Sequence, residues 1–146
     1  MNKTIWNESI LSEKVKLFRS GKRDFSNQEL NDIKLDLLKY KDCLSNTLFF
    51  KGNLKEYKIV SCFAETFHSE LLTHILNKYN AAIAIAVNLS ENKIILKKNY
   101  EKCNIDLCAL AKILCDGDCY EAYSDLAFGK ITEKFLKFTK TLIPCT

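Results

Sequence analysis

The chain of 146 residues is 47% hydrophobic and 27% charged, with only four glycines and one proline. This composition excludes a collagen-like or largely disordered chain and is sufficient for one ordinary domain. No apolar run reaches the length of a membrane span, and no apolar segment precedes the charged stretch 13–23 as it would in a secretory signal. We therefore expect an intracellular, cytoplasmic protein without a membrane partner.

The net charge of +4 is small, and the basic residues are nearly all lysines. Arginine, which suits two-point recognition of phosphate, occurs only at Arg19 and Arg23. The charge alone therefore does not indicate a dedicated nucleic-acid-binding protein.

The seven cysteines are an odd number, which argues against a disulfide framework and favours reduced, buried thiols. A zinc site would need tight pairs of cysteines separated by a longer loop. The spacing of Cys103, Cys108, Cys115 and Cys119 does not provide such pairs. We therefore expect no metal site.

The first third of the chain is predicted to be helical. Leu11, Val15 and Phe18 have the spacing of a short amphipathic helix, and Ser26 with Glu29 forms a capping box before a long helix over 27–47. This helix carries one apolar stripe, formed by Leu30, Ile33, Leu37 and Leu44. Residues 1–52 are therefore predicted to form a helical arm.

The rest of the chain alternates strand and helix patterns. The sequence predicts strands over 57–63 and 93–97, a fully buried strand over 81–87, and a helix over 66–79. A short helix capped by Asp106 follows, then a turn-rich loop, Cys115–Cys119, and a last amphipathic helix marked by Ile131, Phe135, Phe138 and Leu142. The predicted fold class is α/β (α+β), a mixed β-sheet flanked by helices and preceded by the arm.

Three features in sequence order are typical of a known family. They are Leu96-Lys97-Lys98 at a strand end, the helix Ile105–Leu114, and the Cys115–Cys119 loop after it. Residues 57–138 resemble the C-terminal, DHH-associated domain of the DHH phosphoesterases, which include oligoribonucleases and cyclic-dinucleotide hydrolases. In that family the three places hold a Leu-Arg-Ser-like element, a Val-Asp-Val-like helix and a Gly-Gly-Gly-His loop. The resemblance implies a connector arm at 1–52 and a substrate-binding-like domain at 53–146.

The resemblance also implies what each site residue would do. The family's arginine falls on Lys97, beside Lys98, its glycine loop keeps one glycine, Gly117, and its histidine falls on Cys119. Glycine is required there because only a residue without Cβ allows close approach to a phosphate. Asp116 and Asp118 would repel that phosphate. These four positions therefore predict a degenerate phosphate site.

The family's catalytic domain, in which an Asp-His-His motif and further aspartates bind two divalent ions, usually manganese, has no counterpart in this sequence. His68 and His74 match none of its ligands. The resemblance therefore implies no catalytic residue in this chain and no cofactor. Manganese would take part only if a separate DHH subunit supplied it.

Three functions follow as hypotheses. The first is a non-catalytic remnant of the family, a pseudoenzyme that acts as a scaffold or binds a partner, either a second copy or another protein covering the arm's apolar stripe. The second is the substrate-binding half of a split phosphoesterase, with affinity for short oligonucleotides or nucleotides. The third is a basic nucleic-acid-binding protein that uses Tyr100 and four lysines, Lys93, Lys97, Lys98 and Lys102.

Overall fold

The computed structural model describes residues 26–115, 119–123 and 125–145. The chain divides into two compact units, Met1–Asn46 and Thr47–Thr146. The predicted helix near Leu11, Val15 and Phe18 lies outside the described residues.

The first unit contains helix α1, Asn27–Asn46. Its N-terminus is capped as predicted, because the Oγ of Ser26 accepts the backbone N–H of Glu29 at 3.1 Å. The reciprocal half of the motif differs, since the Ser26 hydroxyl itself donates to a carboxylate oxygen of Glu29 at 3.3 Å.

The second unit is a mixed sheet with helices, which confirms the predicted fold class. Its strands in chain order are β1 (Phe49–Leu54), β2 (Tyr57–Phe63), β3 (Ile83–Asn88), β4 (Lys93–Lys98), β5 (Cys119–Tyr123), β6 (Leu126–Lys130) and β7 (Ile143–Pro144). Its helices are α2 (His68–Lys78), α3 (Leu107–Cys115) and α4 (Glu133–Thr139).

The described strands form one sheet in the order β5-β6-β4-β3-β2-β1-β7. Only the β2–β3 pair is parallel, because α2 carries the chain back between these two strands, and the other described pairs are antiparallel. β3 lies at the centre and is buried along its whole length, as its uninterrupted apolar sequence predicts.

The main core lies on one face of the sheet, beneath α3 and α4. Alternate residues of the central strands, such as Ile85 and Leu96, point to this face and pack with Leu110 of α3 and Phe135 of α4. Asp106 caps α3 as predicted, because its side chain accepts the backbone N–H of Cys108 at 3.0 Å. The opposite face carries α2, and Leu71, Leu72 and Ile75 of this helix are fully buried.

The boundary of the predicted arm requires a correction. Residues 49–52 are predicted to end the helical arm, but they form the first four of the six residues of β1. Phe49 and Gly52 pair with Cys62 and Ile59 of β2, so this segment belongs to the sheet. Gly52-Asn53 lies within the strand rather than before it.

The segment predicted as a loop after α3 also differs. Cys115 is the last residue of α3, and Cys119 begins β5, which pairs with β6 at the edge of the sheet. Residues 116–118 lie outside the described part of the chain. Helix α4 is shorter than the apolar spacing of the sequence indicates. Its cap residue is Thr132, whose hydroxyl accepts the N–H of Phe135 at 3.2 Å, and the helix ends at Thr139.

Candidate functional site

Lys97 and Lys98, the predicted phosphate-binding pair, lie at the end of β4 and point to opposite faces of the sheet. The Nζ of Lys97 donates to the Oγ1 of Thr73 on α2 at 3.3 Å. The Nζ of Lys98 donates to the carbonyl oxygen of Ile105 at 3.0 Å and lies 5.4 Å from the ring centroid of Tyr100. Because successive strand residues alternate in direction, the two ammonium groups do not converge on one ligand. This geometry does not favour a joint phosphate site for the pair, which stays a prediction.

The other two positions of the predicted phosphate site are Gly117 and Cys119. Gly117 lies outside the described residues. Cys119 is described through its backbone, which pairs with Gly129 of β6.

Two further lysines bind the backbone at the C-terminal end of α2. Lys58 donates to the carbonyl oxygen of Tyr79 at 2.8 Å. Lys102 donates to the carbonyl oxygen of Asn80 at 3.1 Å and also contacts the side-chain oxygen of Asn80. Cations at this end of a helix satisfy its last carbonyls and interact favourably with its dipole. These lysines therefore stabilise the fold.

Lys93 completes the lysine set of the nucleic-acid hypothesis, and it forms a 2.6 Å ion pair with Glu91. The side-chain hydrogen bond with Lys93 and the positive charge of Lys93 hold the pKa of Glu91 below its ordinary value. Each of the four lysines proposed to bind nucleic acid thus has a partner inside the chain.

The two histidines are engaged in structural contacts. The Nε2 of His68 lies 2.8 Å from the carbonyl oxygen of Ala64, which accepts the imidazole proton. The ring of His74 packs against Phe49 and Tyr79, with centroid separations of 5.6 and 6.3 Å. Within the described residues, no group of three or more His, Cys, Asp or Glu side chains could hold a metal ion.

Several cysteines are part of the core. Six are free thiols: Cys43, Cys62, Cys103, Cys108, Cys115 and Cys145. Cys62, Cys103 and Cys115 are buried. Burial raises the pKa of the Cys115 thiol to about 11, although nearby Lys134 acts in the opposite direction. A thiol with so high a pKa is protonated and unreactive at neutral pH, as expected for cysteines that act as small hydrophobic residues.

Glu70, in the first turn of α2, is a buried carboxyl group with only 7% of its surface exposed. Burial raises its pKa to about 7, and its own backbone N–H opposes this shift. No feature of the sequence marks this glutamate, because its acidic position in a first helical turn is ordinary. It is a buried titratable group that the sequence analysis missed.

Helix α1 has leucines on two sides. On the predicted stripe, Ile33 is buried, and Leu30, Leu37 and Leu44 are partly exposed. The leucines most exposed on this helix are Leu35 and Leu38, at 53% and 63%. They are three residues apart and therefore lie on the same side of the helix.

A groove of about 500 Å³ lies on the sheet beside β1 and β7. The cross-strand register places Lys58 opposite Asn53, and Lys51 two residues farther along β1 on the same face. None of the described lining residues is acidic: Lys51, Gly52, Asn53, Lys58, Thr141 and Ile143. This groove is not predicted from the sequence, because Lys51 falls within the predicted arm. A hairpin over 49–63 would have brought Lys51 and Lys58 together.

Comparisons with other proteins give little further information. No family model and no curated protein matches the sequence. Among solved structures, the chain is similar to an uncharacterized protein from Helicobacter pylori G27, at 18% identity and a TM-score of 0.45. The match covers 93% of this chain and 40% of that protein, so the chain spans well under half of its length. No helix of the described segments is long and apolar enough to cross a membrane.

Proposed function

We propose that this chain is a cytoplasmic, DHH-associated-type domain that does not hydrolyse phosphodiesters and instead acts by binding a protein partner. Within the sheet unit, β2, α2, β3, β4, α3 and α4 follow one another in the order that the resemblance implies, and β1, β5, β6 and β7 are additional strands. This order supports the proposal but does not distinguish an enzyme from a binding protein.

The observation that carries the non-catalytic part is the divergence of Lys97 and Lys98. A phosphate grip needs donors that converge on the same oxygens, whereas these two ammonium groups bind Thr73 and Ile105 on opposite faces of the sheet. The substitution of Cys119 for the family's histidine agrees with this, because a thiol cannot supply a cationic donor.

The partner-binding part of the proposal centres on α1. Leu35 and Leu38 expose about half or more of their surface on one side of this helix, and burying a leucine side chain contributes about 1.5–3 kcal/mol. We propose a second copy of this chain as the partner, with the two leucines at the contact. The predicted stripe of Leu30, Ile33, Leu37 and Leu44 is the less accessible side of α1.

Hydrolysis is tested with the full chain, a short labelled oligonucleotide and added manganese. We expect no turnover above a metal-free control. Turnover would overturn the non-catalytic assignment. Binding without turnover that is lost in Lys97→Ala would instead support the substrate-binding half of a split phosphoesterase.

Self-association is tested by light scattering over a range of protein concentrations. We expect a mass above the 16.8 kDa of one chain, and the double variant Leu35→Lys, Leu38→Lys should return it to that value. The matched control is Leu136→Lys, which places the same charge at an exposed leucine of α4, away from α1 in sequence, and should leave the mass unchanged. A wild-type chain that stays monomeric at all concentrations would overturn the assignment.

A further inference from the structure

We propose that the groove beside β1 and β7 binds the phosphate group of a small-molecule phosphate monoester, with Lys51, Lys58 and Asn53 as the phosphate ligands. This site lies at the β1–β7 edge of the sheet, away from the lysines of β4, on strands for which the family resemblance implies no role. It goes beyond the proposed function, and it can fail or succeed independently of it.

The charge of the groove is the first support. Lys51 and Lys58 stand diagonally across the β1–β2 pair on the same face, a relation that places Cβ atoms about 7–8 Å apart or slightly less. No acidic side chain of the described residues lines the groove. Two ammonium groups on one face repel each other, and an anion bound between them would offset that unfavourable interaction.

The hydrogen-bonding capacity of these side chains is the second support. Within the described residues, Lys51 and Asn53 make no side-chain hydrogen bond and no ion pair. Lys58 uses one of its three N–H donors for the carbonyl oxygen of Tyr79, and this bond holds its ammonium group in place while two donors stay available. The hydroxyl of Thr141 is not a further donor, because it already donates to Phe138 at 2.7 Å.

The size and the wall of the groove favour an organic phosphate over the bare ion. A volume of about 500 Å³ is in the range of small-molecule sites, about 300–1,000 Å³. Ile143, which is 57% exposed, provides an apolar surface beside the lysines. The phosphate would contact the lysines while the remainder of the molecule packs on Ile143.

The test is a calorimetric titration of the full chain at constant ionic strength, because salt screens exposed charges. The probes are ribose 5-phosphate, ribose, inorganic phosphate and a short oligonucleotide. We expect ribose 5-phosphate to bind, ribose not to bind, and inorganic phosphate to bind more weakly. We expect Lys51→Gln to weaken the binding of ribose 5-phosphate at least about tenfold, as for loss of a charged hydrogen bond.

The control is Lys112→Gln, which removes the same charge from an exposed position on α3 and should leave binding unchanged. Lys58→Gln gives a second measurement. The helical content of this variant is checked, because Lys58 also donates to the carbonyl oxygen of Tyr79 at the end of α2. Absence of ribose 5-phosphate binding, or equal weakening by Lys112→Gln, would overturn the proposal. Equal affinity for inorganic phosphate would overturn the monoester assignment. Binding of the oligonucleotide alone would point to recognition of a nucleic-acid strand instead.

Discussion

The centre of the sheet and its β1–β7 edge contain the same type of charged residue in different surroundings. Near the centre, Lys97 and Lys98 extend from β4 to partners on α2 and in the segment before α3. At the edge, Lys51 lines an open groove and has no such partner among the described residues. The comparison teaches that two lysines of one sheet can contribute to the fold through bonds to neighbouring elements, while a third, Lys51, makes no such bond among the described residues.

The largest difference between the two regions is expected in their packing. Ile85 on β3 is completely buried, whereas Ile143 on β7 is 57% exposed. Ile85→Ala should lower the free energy of unfolding by about 2–5 kcal/mol. Ile143→Ala should lower it by less than about 1 kcal/mol. Urea denaturation of both variants measures this difference, and similar losses would contradict the contrast between centre and edge.

The next effect concerns Glu70, which is buried where α2 begins. Its pKa is about 7 in the folded chain against an ordinary value of 4.5, so between these values the folded chain keeps a proton that the unfolded chain has released. Stability therefore falls as the pH rises through this window, by about 1–2 kcal/mol after allowance for partial solvation.

Glu70→Gln should remove this decrease and make the protein more stable than wild type at pH 8. Denaturation in urea at pH 5 and pH 8 provides the measurement. Glu65→Gln, at an exposed position just before α2, is the control and should keep the wild-type dependence. An unchanged pH dependence in Glu70→Gln would show that another group causes it.

A smaller difference in stability is expected between substitutions of Lys98 and of Lys51. Lys98→Met keeps much of the apolar stem but removes the donor to Ile105, which should cost about 0.5–1.5 kcal/mol of stability. Lys51→Met should stay within about 0.5 kcal/mol of wild type. Thermal or urea unfolding distinguishes these outcomes. If the two substitutions lower the free energy of unfolding equally, Lys51 also has a structural role.

The smallest effect is local and electrostatic. Lys93→Met should let the pKa of Glu91 rise toward its ordinary value, because the hydrogen bond and the charge of Lys93 hold it down. Carboxyl-carbon NMR titration of Glu91 measures this shift. Lys112→Met, on α3, should not change that titration, and a pKa of Glu91 that is unaffected by the loss of Lys93 would show that the ion pair does not persist in solution.

Local sequence patterns predicted the central elements well. The strand over 57–63 and the cap at Asp106 appear as expected, because apolar spacing and capping residues depend on near neighbours. β1 was missed since Gly52-Asn53 resembles a turn. In the structure, Gly52 lies against Leu142, whose Cδ2 would be 2.5 Å from an added Cβ, so a larger residue here would require the end of the Leu142 side chain to move.

The site was harder to predict because its contacts are distant in sequence. The resemblance suggested a joint role for Lys97 and Lys98, but Thr73, the partner of Lys97, lies 24 residues away on α2. Which face each lysine occupies depends on the strand register, and no short motif encodes it. The edge groove likewise depends on β7, a two-residue strand that carries no recognisable pattern.

The attachment of β7 also has a consequence for exchange with solvent. β7 pairs with β1 through only two residue positions, Phe50 with Pro144 and Lys51 with Ile143, and the N–H of Cys145 extends this contact to the carbonyl oxygen of Phe49 at 2.8 Å. So short an attachment can open locally while the core stays folded. The amide protons of Ile143 and Cys145 should then exchange with deuterium far faster than those of β3, and Pro144 has no amide proton. The groove lined by Ile143 would disassemble and re-form without global unfolding.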